Sequence, residues 1–244
     1  MQKQVQELLE KTRGLDAAGL LAHVTQQFDD RVALASSFGA EDQVITDMLT
    51  RVTSRPRVFT LDTGRLPQET YDLIDATRKR YGIQIEVLFP DCSEVEALVN
   101  RGGVNLFYES VENRKACCHA RKVIPLRRKL GQLDAWITGL RREQSITRGD
   151  VARIEWNPAN GLFKINPLAD WSTQRVWEYL RGRQVPFNAL HERGYPSIGC
   201  APCTRAVAQG QDIRSGRWWW EQPEHKECGL HLTDVPPVQK GRKP

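Results

Sequence analysis

The chain has 244 residues, with 35 basic and 30 acidic side chains and a net charge of +5. That length suits one large domain or two small ones and buries a core without staples, and a composition 40% apolar and 27% charged excludes a disordered or fibrous chain. No run approaches the roughly 18 apolar residues of a membrane span, and the polar start Met1-Gln-Lys-Gln-Val-Gln6 does not fit a signal peptide, so a cytoplasmic location is expected; the mild, dispersed charge disfavours nucleic acid and suits a small anion.

In chain order, Val5, Leu8 and Leu9, then Leu20, Leu21 and Val24, recur at helical spacing over the first thirty residues. Arg31–Ala35 reads as a short buried strand, followed by the small-residue turn Ser36-Ser-Phe-Gly-Ala-Glu-Asp42 and a helix with Val44, Ile45, Met48 and Leu49 on one face. Arg57–Leu61 is the next strand, ending at Asp62-Thr-Gly64, and Pro67 opens a helix to about Tyr81. A third strand over 83–89, a helix from about Ser93, a basic helix over His119–Leu130 and a fourth strand, Ala135–Thr138, continue the alternation. Strand–helix alternation predicts a parallel, doubly wound α/β sheet. Val151–Trp156 and Leu162–Ile165 flank an Asn-Pro-Ala-Asn-Gly turn and predict a hairpin. Ser172 caps a helix to Arg181, and the chain is loop-rich from about Pro186.

Six cysteines are unusual in a reducing compartment, where disulfides are not expected. The vicinal pair Cys117-Cys118 makes a poor disulfide, because adjacent Cα atoms lie only about 3.8 Å apart. It is also awkward for one zinc ion, whereas a four-iron cluster lets each cysteine bind its own iron. With Cys200-Ala-Pro-Cys203 it suggests a [4Fe–4S] site over structural zinc, although spacing alone leaves cluster, zinc and two unrelated buried pairs all open. Cys92, after the third strand, reads as a small buried hydrophobe or a free thiol.

Several segments could carry chemistry. The Ser36–Asp42 turn lies at a helix start, where backbone N–H groups can face an anion, though an ordinary turn fits it as well and the Lys of a Walker A loop is missing. Leu61-Asp-Thr-Gly-Arg65 ends the next strand, and ligands of open α/β sheets bind beyond strand carboxyl ends. Gly139–Arg148 brings three arginines to the same edge, suited to phosphate or simply to solvent. Arg214-Ser-Gly-Arg217 precedes Trp218-Trp-Trp220, for which buried packing is the first expectation. Cys228 lies near His225, Lys226 and His231, whose positive charge would favour the thiolate; a reactive tail cysteine is what exchange with an external thiol carrier needs.

Together, the Cys117-Cys118 pair, Cys200-x-x-Cys203 and the Lys226-Glu-Cys-Gly-Leu-His231 ending mark a resemblance, over about residues 30 to 231, to the assimilatory adenylyl-sulfate (APS) reductases, thioredoxin-dependent relatives of the phosphoadenylyl-sulfate (PAPS) reductases. The resemblance implies a Rossmann-like, adenine nucleotide alpha hydrolase-like parallel sheet flanked by helices, with a loop-rich C-terminal segment. Residues 1–205 would form the APS-binding domain and 206–244 a tail carrying the catalytic Cys228. It implies a [4Fe–4S] cluster on Cys117, Cys118, Cys200 and Cys203, which the PAPS-specific branch typically lacks. It further implies APS as substrate, thioredoxin as electron donor, a Cys228 S-sulfocysteine intermediate, no nucleic-acid or membrane partner, and a homo-oligomer. By position, Ser36, Ser37, Gly39 and Asp42 match the phosphate-binding turn, and Leu61 and Thr63 the nucleotide-side loop. Lys122, Arg148, Arg214 and Arg217 match the cations around the phosphosulfate. Lys122 also follows Cys118 by four residues, hence on one face of a shared helix. Several relatives have Ser-Phe-Ser-Gly where this chain has Ser-Ser-Phe-Gly, so the hydroxyls are shifted. The turn lacks the Ser-Gly-Gly-x-Asp-Ser pattern of the ATP pyrophosphatases, which argues against ATP cleavage. A cluster reductase that also accepts PAPS, and a non-catalytic zinc or iron–sulfur interaction protein, are the alternatives.

Overall fold

The computed structural model describes residues 2–144, 150–208 and 210–222. Six strands form one sheet in the order β3-β2-β1-β4-β6-β5. These are β1 (Val32–Ala35), β2 (Val58–Leu61), β3 (Ile85–Leu88), β4 (Ala135–Ile137), β5 (Ile154–Asn157) and β6 (Leu162–Ile165). All neighbours run parallel except the β5–β6 hairpin, which forms one edge. The sheet is therefore the mostly parallel, helix-flanked α/β sheet expected from the alternation, and the hairpin extends it through the β4–β6 pairing.

Alternation along the short strands splits the core into two layers, because successive side chains point to opposite faces. Val32, Leu34, Ala135, Ile137 and Ile165 face the helices α2 (Ala17–Phe28), α3 (Ala40–Val52) and α8 (Thr173–Gly182). Ala33, Phe59, Trp136 and Leu162 face Leu126 and Leu130 of α7 (Ile124–Leu130) on the other side. The remaining helices are α1 (Gln2–Lys11), α4 (Gln68–Tyr81), α5 (Cys92–Gly102) and α6 (Val111–Cys118). Caps fall where side-chain chemistry predicts: Asp16, Asp91, Ser110 and Ser172 accept from backbone N–H groups of the first turns. Pro67 is the N-cap of α4 and does not occupy its first turn.

The basic helix differs from expectation. It begins at Val111, not His119, and passes from α6 through a π-helical turn, His119–Val123, into α7. Pro125 supplies the reason. It has no N–H to give the carbonyl four residues back, and its ring crowds that carbonyl. The ladder widens, so Ile124 N donates to His119 O instead.

Asp47 joins three helices. Its buried carboxylate accepts from Arg51 Nε (2.9 Å) within α3, from Tyr81 Oη (2.9 Å) of α4 and from Tyr179 Oη (2.7 Å) of α8. Burial pushes its pKa up, but these donors outweigh burial and hold it below the usual carboxylate value. Asp47→Asn should therefore destabilise the fold by about 2 kcal/mol at pH 7. Because the folded-state pKa is depressed, this deficit should persist down to about pH 4 and shrink below it, as measured by urea denaturation across pH.

Candidate active site

The strand order reverses between β1 and β4: β2 and β3 lie to one side of β1, and β4, β6 and β5 to the other. Crevices for ligands form at such switch points, beyond the carboxyl ends of the strands. A cavity of about 670 Å³ opens there, lined by the turn after β1, the end of β2, the turn after β4 and the 194–217 region. Ser36, Ser37, Gly39, Asp42, Leu61, Thr63, Lys122, Arg214 and Arg217 all line it. Arg148 and Cys228 lie outside the described residues.

The turn after β1 is held from within. Phe38 is buried at a φ of 59°, an unusual conformation for a bulky residue. Its N–H donates to Ser36 Oγ (3.1 Å). Ser37 donates to Asp42 Oδ2 twice, from its backbone N–H (2.6 Å) and its hydroxyl (2.8 Å). Ser37 thus ties the turn to the first turn of α3, whose N-cap is Gly39. Asp42 is buried, and burial pushes its pKa up to about 6 although the Ser37 hydrogen bonds pull the other way. A side chain at Gly139 would put its Cβ 2.5 Å from Asp42 Oδ1, so only glycine lets the end of β4 approach this carboxyl. Spacing alone carries no sign of that contact.

Of the three arginines in the turn after β4, Arg141 lines the cavity, Arg142 does not, and Arg148 lies outside the described residues. Arg141 is buried and bonds Glu41 (2.8 Å), the Trp171 carbonyl (2.9 Å) and Thr173 Oγ1 (3.2 Å). Arg142 pairs with Asp170 and donates to the Val151 carbonyl (2.9 Å). Both are engaged by the protein because carboxylates and carbonyls converge on them, which a linear sequence does not reveal.

A second, smaller cavity shares a wall with the first. Cys117, Cys118, Cys200 and Cys203 line it together with Arg65, Arg114, Arg121, Lys122, Arg217 and Trp218. The reading of two unrelated cysteine pairs is thereby set aside. Lys122, Arg217 and Trp218 line both cavities. None of the four is in a disulfide, and Cys117, Cys200 and Cys203 are buried with Leu106, Phe107 and Trp218. Burial pushes the Cys203 thiol up to about 12 and raises Cys117 too. Burial acts on Cys200 in the same sense, but Lys122, a hydrogen bond with Thr63 Oγ1 (3.2 Å) and Arg217 outweigh it and leave its pKa below the ordinary thiol value. Among the described residues no group of three or more His, Cys, Asp or Glu side chains is arranged to hold a metal ion.

The turn after β2 links the two cavities. Thr63 reaches Cys200 through its hydroxyl, its carbonyl accepts from Arg121 Nη1 (2.7 Å), and Ala201 N donates to the Arg65 carbonyl (2.8 Å). Gly64 has a φ of +69° and hydrogen-bonds Asp62 Oδ1 (2.8 Å), to which Tyr71 Oη also donates (2.9 Å). Sequence reasoning singled out Thr63 but not Arg121, whose value lies in a backbone carbonyl 58 residues away. Cys92 is exposed and donates to Glu96 (3.1 Å), so it is a free thiol and not a buried hydrophobe; that hydrogen bond raises its pKa. Of the three tryptophans, Trp218 is fully buried and the other two half-buried. No described helix is long and apolar enough to cross a membrane.

Fold and cavity define an α/β protein of the adenine nucleotide alpha hydrolase-like class, with a cysteine centre beside its nucleotide-sized crevice. Residues 31–206 match the phosphoadenosine phosphosulfate reductase domain family, and the chain belongs to that family. It is similar to the adenosine 5'-phosphosulfate reductase of Allochromatium vinosum, 51% identical over 233 residues that cover 96% of this chain and 91% of that one. The enzyme of the same name from Burkholderia cepacia is 50% identical, covering 95% and 92%. Among solved structures, the phosphoadenylyl-sulfate reductase of Candida auris in a phosphate complex matches with a TM-score of 0.72 at 26% identity, covering 85% of this chain and 98% of that one.

Asp42 makes the site pH-sensitive. Its folded pKa of about 6 exceeds the unfolded value of 3.8, so the folded state holds the extra proton between them. Stability should fall as pH rises from about 4 to about 6 and stay reduced above. Asp42→Asn should flatten this fall, seen as a wild-type-minus-variant difference in urea midpoint that changes across that window and not above pH 7.

Proposed function

We propose that this chain is an adenylyl-sulfate reductase of assimilatory sulfate reduction, converting APS to sulfite and AMP with Cys228 as nucleophile and reduced thioredoxin as electron donor. The observation that carries this reading is the meeting of the turn residues Ser36, Ser37, Gly39 and Asp42 with Leu61, Thr63, Lys122, Arg214 and Arg217 around one cavity, beside the four thiols. A volume of about 670 Å³ is in the range of small-ligand sites. In this reading the amides at the start of α3 face the phosphate, Leu61 meets adenine through its backbone, and Lys122, Arg148, Arg214 and Arg217 surround the phosphosulfate.

The reaction divides one displacement into easier ones. The Cys228 thiolate attacks the sulfur of APS, the bond from that sulfur to the phosphate oxygen breaks, and AMP leaves with the electron pair. Cys228 then carries an S-sulfo group. A thioredoxin thiolate attacks the Cys228 sulfur, displacing sulfite and forming a mixed disulfide, and the second thioredoxin thiol resolves it. Thioredoxin loses two electrons and the substrate sulfur gains them. AMP is a good leaving group, so no strong general acid is required. In this reading the domain to residue 205 binds the nucleotide together with Arg214 and Arg217 of the tail, and the tail from 206 also brings the nucleophile.

In this reading Cys117, Cys118, Cys200 and Cys203, which line one cavity, would hold a [4Fe–4S] cluster. Four cysteines outside any disulfide share that cavity with five Arg and Lys side chains, which suits a donor set that is anionic once ionised. A single ion needs all its ligands on one atom, whereas a cluster takes one thiolate per iron and tolerates wider separation. Bound there, the cluster supplies order and an electrostatic field to this face and not the electrons of the reaction. Lys122 and Arg217, on the shared wall, hold positive charge toward both sides. We place the protein in the cytoplasm, as a homo-oligomer.

Cys228→Ser should lower sulfite formation by more than roughly 1,000-fold while leaving AMP binding intact. Full activity in that variant would overturn the mechanism. Assays with APS and PAPS in parallel test selectivity: comparable kcat/KM values would make the protein a dual-substrate reductase. Anaerobically purified protein should contain about four irons and equal acid-labile sulfide per chain; stoichiometric zinc without sulfide would overturn the cluster.

A further inference from the structure

We propose that the ion pair Arg114–Glu221 is a positioning device, setting the point from which the Cys228 segment departs. The proposal rests on the reading of Cys228 as nucleophile. Arg114 belongs to α6, one turn before Cys118, and Glu221 is near the end of the described chain. The pair is bidentate: Arg114 Nε donates to Glu221 Oε1 at 2.9 Å and a terminal nitrogen to Oε2 at 2.8 Å. The side chains are only 1% and 3% exposed. The Arg114 guanidinium also lies over the Trp218 ring at 4.7 Å, and that ring carries the Arg217 guanidinium at 4.8 Å. Backbone bonds complete the attachment: Trp218 N donates to the Cys203 carbonyl (3.2 Å) and Glu221 N to the Trp218 carbonyl (2.8 Å).

Burying two charges is costly, and a well-packed apolar pair often stabilises as much or more. The best-attested return on such a pair is a fixed register, because a bidentate fork satisfies only one geometry. Here the register is that of the 218–221 segment against the cysteine-pair helix. Cys228 follows Glu221 by seven residues, so its sulfur is confined to within about 25 Å of this anchor. Releasing the anchor frees Glu221 from α6, which should lower the effective concentration, at the substrate sulfur, of a nucleophile seven residues further on. Neither Arg114 nor Glu221 lines the larger cavity, so nucleotide binding does not depend on them directly.

The test uses the full-length protein mixed with APS in the absence of thioredoxin, with gain of one SO₃ group on Cys228 followed by intact mass, and AMP affinity measured separately. Glu221→Gln keeps the shape and removes the charge. It should slow adduct formation about 10- to 100-fold and lower kcat, with AMP Kd and KM changed less than about threefold. Glu221→Asp, which keeps the charge but shortens the reach, should fall between Glu221→Gln and the wild type. A wild-type rate of adduct formation in Glu221→Gln would overturn the proposal while leaving the nucleophile reading intact. Loss of AMP binding in both variants would make the pair a purely structural strut and would also overturn it. Cys228→Ser run in parallel keeps the two questions apart: adduct formation in that variant would refute the nucleophile reading itself.

Discussion

The wall between the two cavities is the constraint on which the rest of the site depends. Lys122, Arg217 and Trp218 stand in it, facing nucleotide-sized space on one side and four thiols on the other. Cations brought this close to buried thiols must be held by something other than their own attraction, because desolvating them costs more than one contact returns. The π-turn before Pro125 presents Lys122 and Arg121 from the same widened stretch of helix, and Arg121 is fastened to the Thr63 carbonyl. Arg217 is fastened from the other direction, between the Trp218 ring and the Cys203 carbonyl (3.4 Å).

This arrangement couples elements far apart in sequence. The turn after β2 touches Cys200 through Thr63 and the 200–203 turn through Arg65. The Cys203 carbonyl accepts from Trp218, whose ring meets Arg114 of the cysteine-pair helix. The small core around Cys117, Cys200, Cys203, Phe107 and Trp218 is therefore a structural junction.

Acidic groups divide the labour differently. Asp47 is buried among phenols and a guanidinium and stays ionised, which suits a joint between α3, α4 and α8. Asp42, five residues earlier on the same helix, is buried with hydroxyl and amide donors and, among the described residues, no cation within bonding distance, and its pKa rises toward 6. The same residue type thus serves as a joint in one environment and as a proton-sensitive part of the crevice in the other.

The sequence by itself determined the alternation of strands and helices, the hairpin, the helix capped by Ser172 and the four-cysteine pattern. These are local: periodicity, caps and turn residues act over a few positions. It also singled out the crevice residues from Ser36 to Arg217, through their family motifs and the strand ends they follow. The start of the basic helix at Val111 was missed because its first turns, Val-Glu-Asn-Arg, carry almost no apolar periodicity. Only the tertiary structure decided that the hairpin joins the main sheet, that Arg141 and Arg142 are consumed by carboxylates, that Gly139 must be glycine beside Asp42, and that Arg114 meets Glu221 across 107 residues. Each of these depends on which groups arrive at the same point in space, and a linear spacing holds no measure of that distance.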